Sequence, residues 1–455
     1  MALTPLTSII ILFILFGLSL RNPAWGIAAY LTVYVLYNPD VWWGAVLLKF
    51  MPRPSYVAII FILVGCLLNW SKLNWKITKT EILIYLFVAL CWFVTFAFGN
   101  IPDEISRQYL EKLTKIAVFI FLMIRSVRTL QEFRNIVLTL LLAALFLAEQ
   151  AHVIGRFSSS RLDNLGGMDF SEANAFAAFV SVGVIFAGFY LLRVRLWTKF
   201  LLVLAIGLML NSIVMAQSRG VFLGLIGAGL YVLMFMPKEK RKAIVACMFL
   251  GILLAGMLAG GGFKERMTTI GVSYDRFSGL TATGEYQIDR LDFWKASLKM
   301  LEQHPFGVGV KRFQKMVQIY DTRNPGMDAH NTYVLCYSEI GVPGLAIFIG
   351  IILFAFTSLW RVQRLKLDGT KDILGIRMTA VALGGALTVY LSGYGMTHSC
   401  LYSEILWILL TLPVVYESAV SNYVSLGAAR SNSCLAQAEN NAIPTETICA
   451  TAETS

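Results

Sequence analysis

FLLVLAIGLMLNSIVMAQSRGVFLGLIGAGLYVLMFMPKEKRK, residues 200–242, holds two apolar runs, a four-residue polar break and a basic stop. The runs, roughly 197–215 and 219–236, are long enough to cross a hydrocarbon layer of about 30 Å as helices. Gln217-Ser218-Arg219-Gly220 separates them, and Lys238 to Lys242 closes the second. Inside lipid every backbone amide must find its partner within the protein, which leaves helices or closed barrels. Barrel strands alternate polar and apolar residues, whereas these runs are continuously apolar, so they read as transmembrane helices.

The same pattern extends outward in both directions. Candidate spans fall at about 5–20, 24–37, 56–72, 79–98, 113–124, 135–154, 171–192, 197–215, 219–236, 242–260, 331–358, 378–396 and 399–418. The expected architecture is all-α and polytopic, with about 12–13 transmembrane helices. The first two spans are short, separated by Arg21, Asn22 and Pro23, and suit a broken or partly inserted hairpin. Composition agrees: 57% of the 455 residues are hydrophobic and 14% charged, with a mean hydropathy of +0.68. A soluble domain carries about 25% charged residues.

The net charge of +11 does not point to nucleic acid, because the basic residues sit in short connections between apolar runs. Lys72, Lys76 and Lys79 mark one such loop, and Arg125, Arg128 and Arg134 the next. Arg193, Arg195 and Lys199 mark a third, Lys238 to Lys242 a fourth, and Arg361, Arg364, Lys366, Lys371 and Arg377 a fifth. Pairs of spans separate them, so one orientation makes all five cytoplasmic, as the positive-inside rule requires. Segments 99–112, 155–170, 216–220 and 261–330 then face outward. The chain divides into an N-terminal bundle (1–260), a large periplasmic loop (261–330), C-terminal helices (331–418) and a cytoplasmic tail (419–455). The tail's Ser, Asn, Ala, Thr and Glu content predicts disorder. Seven cysteines without a CxxC spacing suggest neither a disulfide framework nor zinc. Residues 5–20 lack a basic lead and an A-x-A site, so they read as mature protein rather than a removed signal.

A polar stretch as long as 261–330 between two spans is usually functional. Leu291, Trp294, Leu298 and Leu301 recur at helical spacing and predict one amphipathic helix, which His304-Pro305 ends. Phe313, Met316, Val317 and Tyr320 predict a second, so the loop reads as a helical cap on the membrane. Three outward features could carry chemistry. Arg219, at a membrane boundary, serves either as an interfacial anchor or as a ligand for an anion, which the small Ser218 and Gly220 would let close. Arg290, between Asp289 and Asp292 and near Trp294, either pairs with a neighbouring aspartate or presents its fork of donors to phosphate. Arg266 and Arg276 are further candidates in the same loop. His330, in Asp328-Ala329-His330-Asn331-Thr332-Tyr333, is either structural or a general base at the membrane surface. His152 and His398 lie at outer ends of spans without a clear partner.

There is no Walker A loop, no HExxH motif and no EF-hand loop. The adjacent Asp103-Glu104 is a weak candidate for a metal. Arginines with one histidine on the outer face, and no metal cage, suggest pyrophosphate chemistry without metal or cofactor. Arginines would stabilise charge on a departing pyrophosphate, and a histidine would take a proton from an attacking hydroxyl.

These pieces resemble the O-antigen ligase and polymerase superfamily of bacterial membrane glycosyltransferases. The matching elements are Ser218-Arg219-Gly220, Arg290 with Trp294, His304-Pro305-Phe306-Gly307-Val308-Gly309, His330-Asn331-Thr332-Tyr333 and Glu339-Ile340-Gly341-Val342-Pro343-Gly344. Asp169 with Asn174 also fits, and the resemblance spans roughly 80–420. It implies a GT-C-like fold in the bacterial inner membrane and transfer of a glycan from undecaprenyl pyrophosphate with inversion and without metal. It implies His330 as the catalytic residue and Arg219 and Arg290 as pyrophosphate ligands; Arg266, Arg276, Trp294, Asp328 and Asn331, read from the residues around them, are additional candidates. The acceptor implied first is lipid A-core; a growing glycan would make a polymerase and a protein hydroxyl an oligosaccharyltransferase. Asn22-Pro23 and Asn38-Pro39 are similar to the O-glycosylation ligase branch. A flippase for the same lipid-linked glycan is the alternative of another class, but transporters place ionisable residues near the bilayer midplane and use inverted repeats. Neither pattern is visible here.

Overall fold

A computed structural model describes residues 5–36, 42–98, 103–155, 162, 167–258, 290–321, 326, 328–365 and 373–441. No strand occurs among the described residues. The helices are α1 (Pro5–Arg21), α2 (Ala24–Leu36), α3 (Trp42–Phe50), α4 (Pro54–Leu68), α5 (Lys79–Ala97), α6 (Glu104–Ser126), α7 (Leu130–Gly155), α8 (Gly167–Phe170) and α9 (Ala173–Leu191). They continue as α10 (Leu196–Ala216), α11 (Arg219–Phe235), α12 (Lys238–Leu258), α13 (Arg290–Gln303), α14 (Phe313–Tyr320), α15 (Thr332–Arg364), α16 (Ile373–Thr388) and α17 (Glu404–Asn441). A π-helical turn, Val389–Tyr394, and a last turn, Gly395–Thr397, prolong α16.

Every expected span is helical. Eight helices among the described residues are long and apolar enough to cross a membrane, and a ninth span arises if α3 and α4, bent by 57°, count as one. The remaining expected crossings correspond to the shorter apolar α1, α2 and α11, and to α6, whose first half carries several charges. Helix α3, not expected from the sequence, is only nine residues long and stops at Phe50, two residues before Pro52. Outward-facing Leu196, Trp197, Met234 and Met257 are more than 60% exposed, an apolar surface suited to lipid rather than water. The interior is tight: Trp407 lies 5.1 Å from Phe87 and 6.0 Å from Phe348 between ring centroids, joining α5, α15 and α17.

The basic loops gather at one end of the bundle. Asn74 N donates to Arg125 O at 3.1 Å, Arg128 Nη1 to Lys72 O at 2.6 Å, and Asn422 Nδ2 to Arg128 O at 3.0 Å. Arg125 is buried there against Glu81, whose other oxygen closes a capping box with Thr78 at the start of α5. Parts of the segments expected to face outward, 103–106, 169–170, 216–220 and 304–313, gather at the opposite end together with 95–98, 171–174 and 394–404.

Two expectations shift. In α13 the buried residues are Ala296, Ser297 and Met300, while Leu298 is exposed and Trp294 and Leu301 are half-buried, so the packed face is turned from the predicted stripe. Helix α17 continues to Asn441 through the start of the expected tail, where Ala428, Ala429, Leu435, Ala436 and Ala438 favour helix. Residues 442–455 and the first part of the 261–330 loop, from 261 to 289, lie outside the described residues.

Candidate functional site

His330 stands two residues before α15 with φ +48°, in the left-handed region. That conformation costs a residue with a Cβ roughly 1–2 kcal/mol, and such strain concentrates at functional sites. What holds it is the turn that follows. Asn331 caps α15, its Oδ1 accepting from Tyr333 N at 2.9 Å and Val334 N at 3.1 Å. Its Nδ2 donates to Met396 O at 3.3 Å. Thr332 Oγ1 donates to His398 O at 2.8 Å and accepts from Cys400 N at 2.9 Å. Segments 330–332 and 396–400 are thereby fastened together.

This fastening brings a second histidine to the first. The rings of His330 and His398 meet edge to face with centroids 5.9 Å apart. His398 stacks on Tyr394 at 5.3 Å. Asn174 Nδ2 lies 2.6 Å from its Nε2 and Thr397 Oγ1 lies 3.2 Å from its Nδ1. The Thr397 hydroxyl also donates to Gly393 O at 2.8 Å, and the tautomer of His398 sets which partner donates in its contacts with Asn174 and Thr397. The sequence reading left His398 without a partner; the partners come from α9 and the end of α16, more than 200 residues apart. His152 also has one, Asn211 Nδ2 at 3.2 Å from its Nδ1.

The Gln217–Gly220 break lies beside this pair. Gln217, at φ +51°, ends α10, and Ser218 Oγ caps α11 by accepting from Val221 N at 3.4 Å. Arg219 is the exposed first residue of α11. A Cβ on Gly220 would stand 2.2 Å from Thr397 Oγ1, and one on Gly224 would stand 2.7 Å from Gly393 Cα. The glycines thus let α11 lie directly on the π-helical turn, as small residues do between membrane helices. This corrects the expectation for Gly220 and Ser218: the space beside Gly220 is filled by Thr397, and Ser218 is buried as a cap, so neither opens the backbone to an anion.

His304–Gly309 and Glu339–Gly344 also meet. Val308 N donates to Ser338 O at 3.1 Å, Gly309 N to Glu339 O at 2.9 Å and Val342 N to Pro305 O at 3.1 Å. Gly341, at φ +77°, kinks α15, and Gly307, at φ +87°, faces it. A Cβ on either would come within 2.4 Å of the other segment's backbone. Beyond this clasp the Lys311 ammonium stands 4.4 Å from the Tyr109 ring centroid and 5.5 Å from that of Tyr402. Gln217, Lys311 and His330 are the non-glycine residues with positive φ among the described residues, and all lie at this end.

The other candidates divide. Arg290 is the first residue of α13, with its side chain outside the described set, and Arg266 and Arg276 lie outside the described residues. Trp294 is half-buried, with Nε1 buried and unpartnered among the described residues. Asp328 Oδ1 accepts from Ala329 N at 2.9 Å. Asp169 accepts from Lys112 Nζ at 2.8 Å, Glu404 N at 2.9 Å and the Tyr34 hydroxyl, a buried network behind the histidines. Asp103 and Glu104 do not act together: Asp103 caps α6 and pairs with Lys315, whereas Glu104 accepts from Gln108 Nε2 at 3.2 Å. The Lys315 ammonium holds the Asp103 carboxyl well below the usual carboxylate range. Among the described residues no three His, Cys, Asp or Glu side chains converge on a point that could hold a metal.

Residues 204–349 match the family model for O-antigen ligase, a stretch from within α10 to within α15 that includes Arg219, His330 and the Gly341 kink. About a third of the chain is thus similar to the O-antigen ligase family. That match and the eight long apolar helices support a multi-pass membrane protein of the glycan ligase and polymerase type. No curated protein matches the chain. His398, Asn174 and Lys112 lie outside the matched residues, so the O-antigen ligase segment is completed at this end by helices before and after it.

Proposed function

We propose that the protein transfers an oligosaccharide from undecaprenyl pyrophosphate to a hydroxyl of lipid A-core, at the periplasmic face of the bacterial inner membrane. The observation that carries this reading is the strained His330 beside His398 and the Arg219 turn, at the end opposite the basic loops and within the O-antigen ligase match. A base and a guanidinium on one surface suit a single displacement. His330 takes the proton from the acceptor hydroxyl, whose oxygen forms a bond to the anomeric carbon. The bond from that carbon to the pyrophosphate oxygen breaks, and the undecaprenyl pyrophosphate leaves with the electron pair. One displacement inverts the anomeric centre. Arg219, and Arg290 from the start of α13, neutralise charge growing on the leaving group, where fixed donors act most strongly. The role of His398, itself placed by Asn174, Thr397 and Tyr394, is to hold the His330 ring in position.

The test is expression in an O-antigen-producing bacterium that lacks its own ligase, with His330→Ala at equal abundance alongside. Wild type should restore the ladder of glycan chains on lipid A-core and the variant should not. A ladder from both would refute the role of His330. No ladder from wild type would refute lipid A-core as acceptor and turn the search to glycan or protein hydroxyls.

A further inference from the structure

Segment 397–402 sets out the polar groups of the outer end in order. Thr397 packs on Gly220, next to Arg219; His398 meets the His330 ring; and Tyr402 has the Lys311 ammonium 5.5 Å from its ring centroid. Along this segment the histidine pair stands between a guanidinium and an ammonium. Lys311 holds its place against local backbone preference. At φ +58° it occupies the third position of the turn in which Arg312 N donates to Gly309 O at 3.3 Å, a position where positive φ favours glycine. Positions 307 and 309, also at positive φ, are glycines, whereas 311 keeps a long cationic side chain. Bonds on both sides fix it there. Val310 N donates to Thr95 Oγ1 at 3.1 Å and Val310 O accepts from Ser106 Oγ at 2.8 Å. Phe313 N donates to Glu339 Oε1 at 3.0 Å, and the other Glu339 oxygen accepts from the Tyr402 hydroxyl. The half-buried ammonium, 4.4 Å from the Tyr109 centroid, is thus held by two rings, which orient it without neutralising its charge. Lys112 and Lys315 nearby pair with Asp169 and Asp103; among the described residues Lys311 makes no such pair. Backbone strain retained to aim a charged group marks a binding residue.

We propose that Lys311 binds an anionic group, phosphate or carboxylate, on the acceptor. This rests on the transfer reaction proposed above, and the order along 397–402 decides the side. In a single displacement the nucleophile and the leaving group lie on opposite sides of the anomeric carbon. With the pyrophosphate on Arg219 and the acceptor hydroxyl on His330, the rest of the acceptor extends toward Lys311. The acceptor class is thereby narrowed to a glycan or glycolipid that carries negative charge near the hydroxyl it offers. An ammonium, as a compact point charge, suits either anion.

The experiment measures binding by the purified full-length protein in detergent, with lipid A-core and, separately, undecaprenyl pyrophosphate as probes. Lys311→Met keeps an unbranched chain on the two rings. It should weaken lipid A-core binding about tenfold, the worth of one hydrogen bond to a charged group, and leave undecaprenyl pyrophosphate binding unchanged. Lys311→Arg should restore most of the affinity. Lys315→Gln removes a charge from the same segment and should leave binding unchanged. With dephosphorylated lipid A-core, loss of the difference between wild type and Lys311→Met assigns the phosphate, and its persistence assigns the carboxylate. On wild type, free of folding effects, bound lipid A-core should shield Lys311 from an amine-reactive reagent, read by mass spectrometry. Unchanged lipid A-core binding in Lys311→Met, equal loss in Lys315→Gln, loss of undecaprenyl pyrophosphate binding instead, or no shielding would overturn the proposal and leave the transfer reading standing. No lipid A-core binding by wild type would overturn both this proposal and lipid A-core as acceptor.

Discussion

Asn331 was expected among the site residues, and its atoms show a supporting part: it caps α15 and tethers the Met396 carbonyl, which sets the direction of the residue before it. Asn331→Ala should lower stability by about 1 kcal/mol, the usual worth of a cap, and misplace His330, whereas Asn331→Asp should restore the melting temperature. Thermal melts of the two variants check this. Gly393→Ala is expected to be worse than Gly220→Ala. A Cβ on Gly393 would meet backbone, Gly224 Cα at 2.7 Å and Gly220 O at 2.8 Å, whereas the Gly220 clash is with a threonine side chain. At this scale the sequence was informative about residue types and poor about partners. His330 drew notice because a histidine beside a span end is chemically suggestive. His398 did not, because its value lies in Asn174 and Tyr394, contacts created only when α9 and α16 pack. The spacing Gly220, Gly224 was the available hint that α11 approaches another backbone closely.

Among the elements, helices were legible where apolar runs were long and their ends marked by charge. Within such a run a break is invisible, and the kink at Gly341 is the instructive case. Glu339–Gly344 reads as part of a span, yet Gly341 turns left-handed so that the helix can receive the His304–Gly309 segment. Gly341→Ala should therefore do more than strain one residue, since its Cβ would stand 2.4 Å from Phe306 C. The expected outcome is release of 304–313, seen as new protease cleavage there, with activity lost. The outer tether between α14 and α6 should depend on acid. Asp103 is held below the ordinary carboxylate range by Lys315, so its contribution is present above that range and disappears as pH falls through and below it. Hydrogen exchange across 313–320 should rise below about pH 4 in wild type, near the ordinary Asp value. Asp103→Asn should exchange faster at neutral pH and lose that dependence.

For the whole molecule, the sequence showed the division into two ends because charge alone marks it, and the structure shows what each end does with its polar groups. The basic end buries Arg125 against Glu81, which also accepts from the Tyr85 hydroxyl at 2.8 Å. Removing one partner of such a pair typically costs about 3–5 kcal/mol, while replacing both can be neutral. Glu81→Gln should sharply lower the melting temperature, and adding Arg125→Met should recover much of it. The opposite end gathers the strained residues, the paired histidines and the clasped glycine loops. Residues 261 to 289 lie outside the described residues, so Arg266 and Arg276 stand as sequence expectations. The proposed reaction depends on proton transfer by His330 at this end. Its direct test is glycan transfer by the purified protein reconstituted in vesicles with a lipid-pyrophosphate-linked donor and a lipid A-core acceptor. His330→Ala should bind the donor like wild type and transfer it about 10²- to 10⁴-fold more slowly, the usual range for a lost general base; transfer at the wild-type rate would exclude His330 as the base.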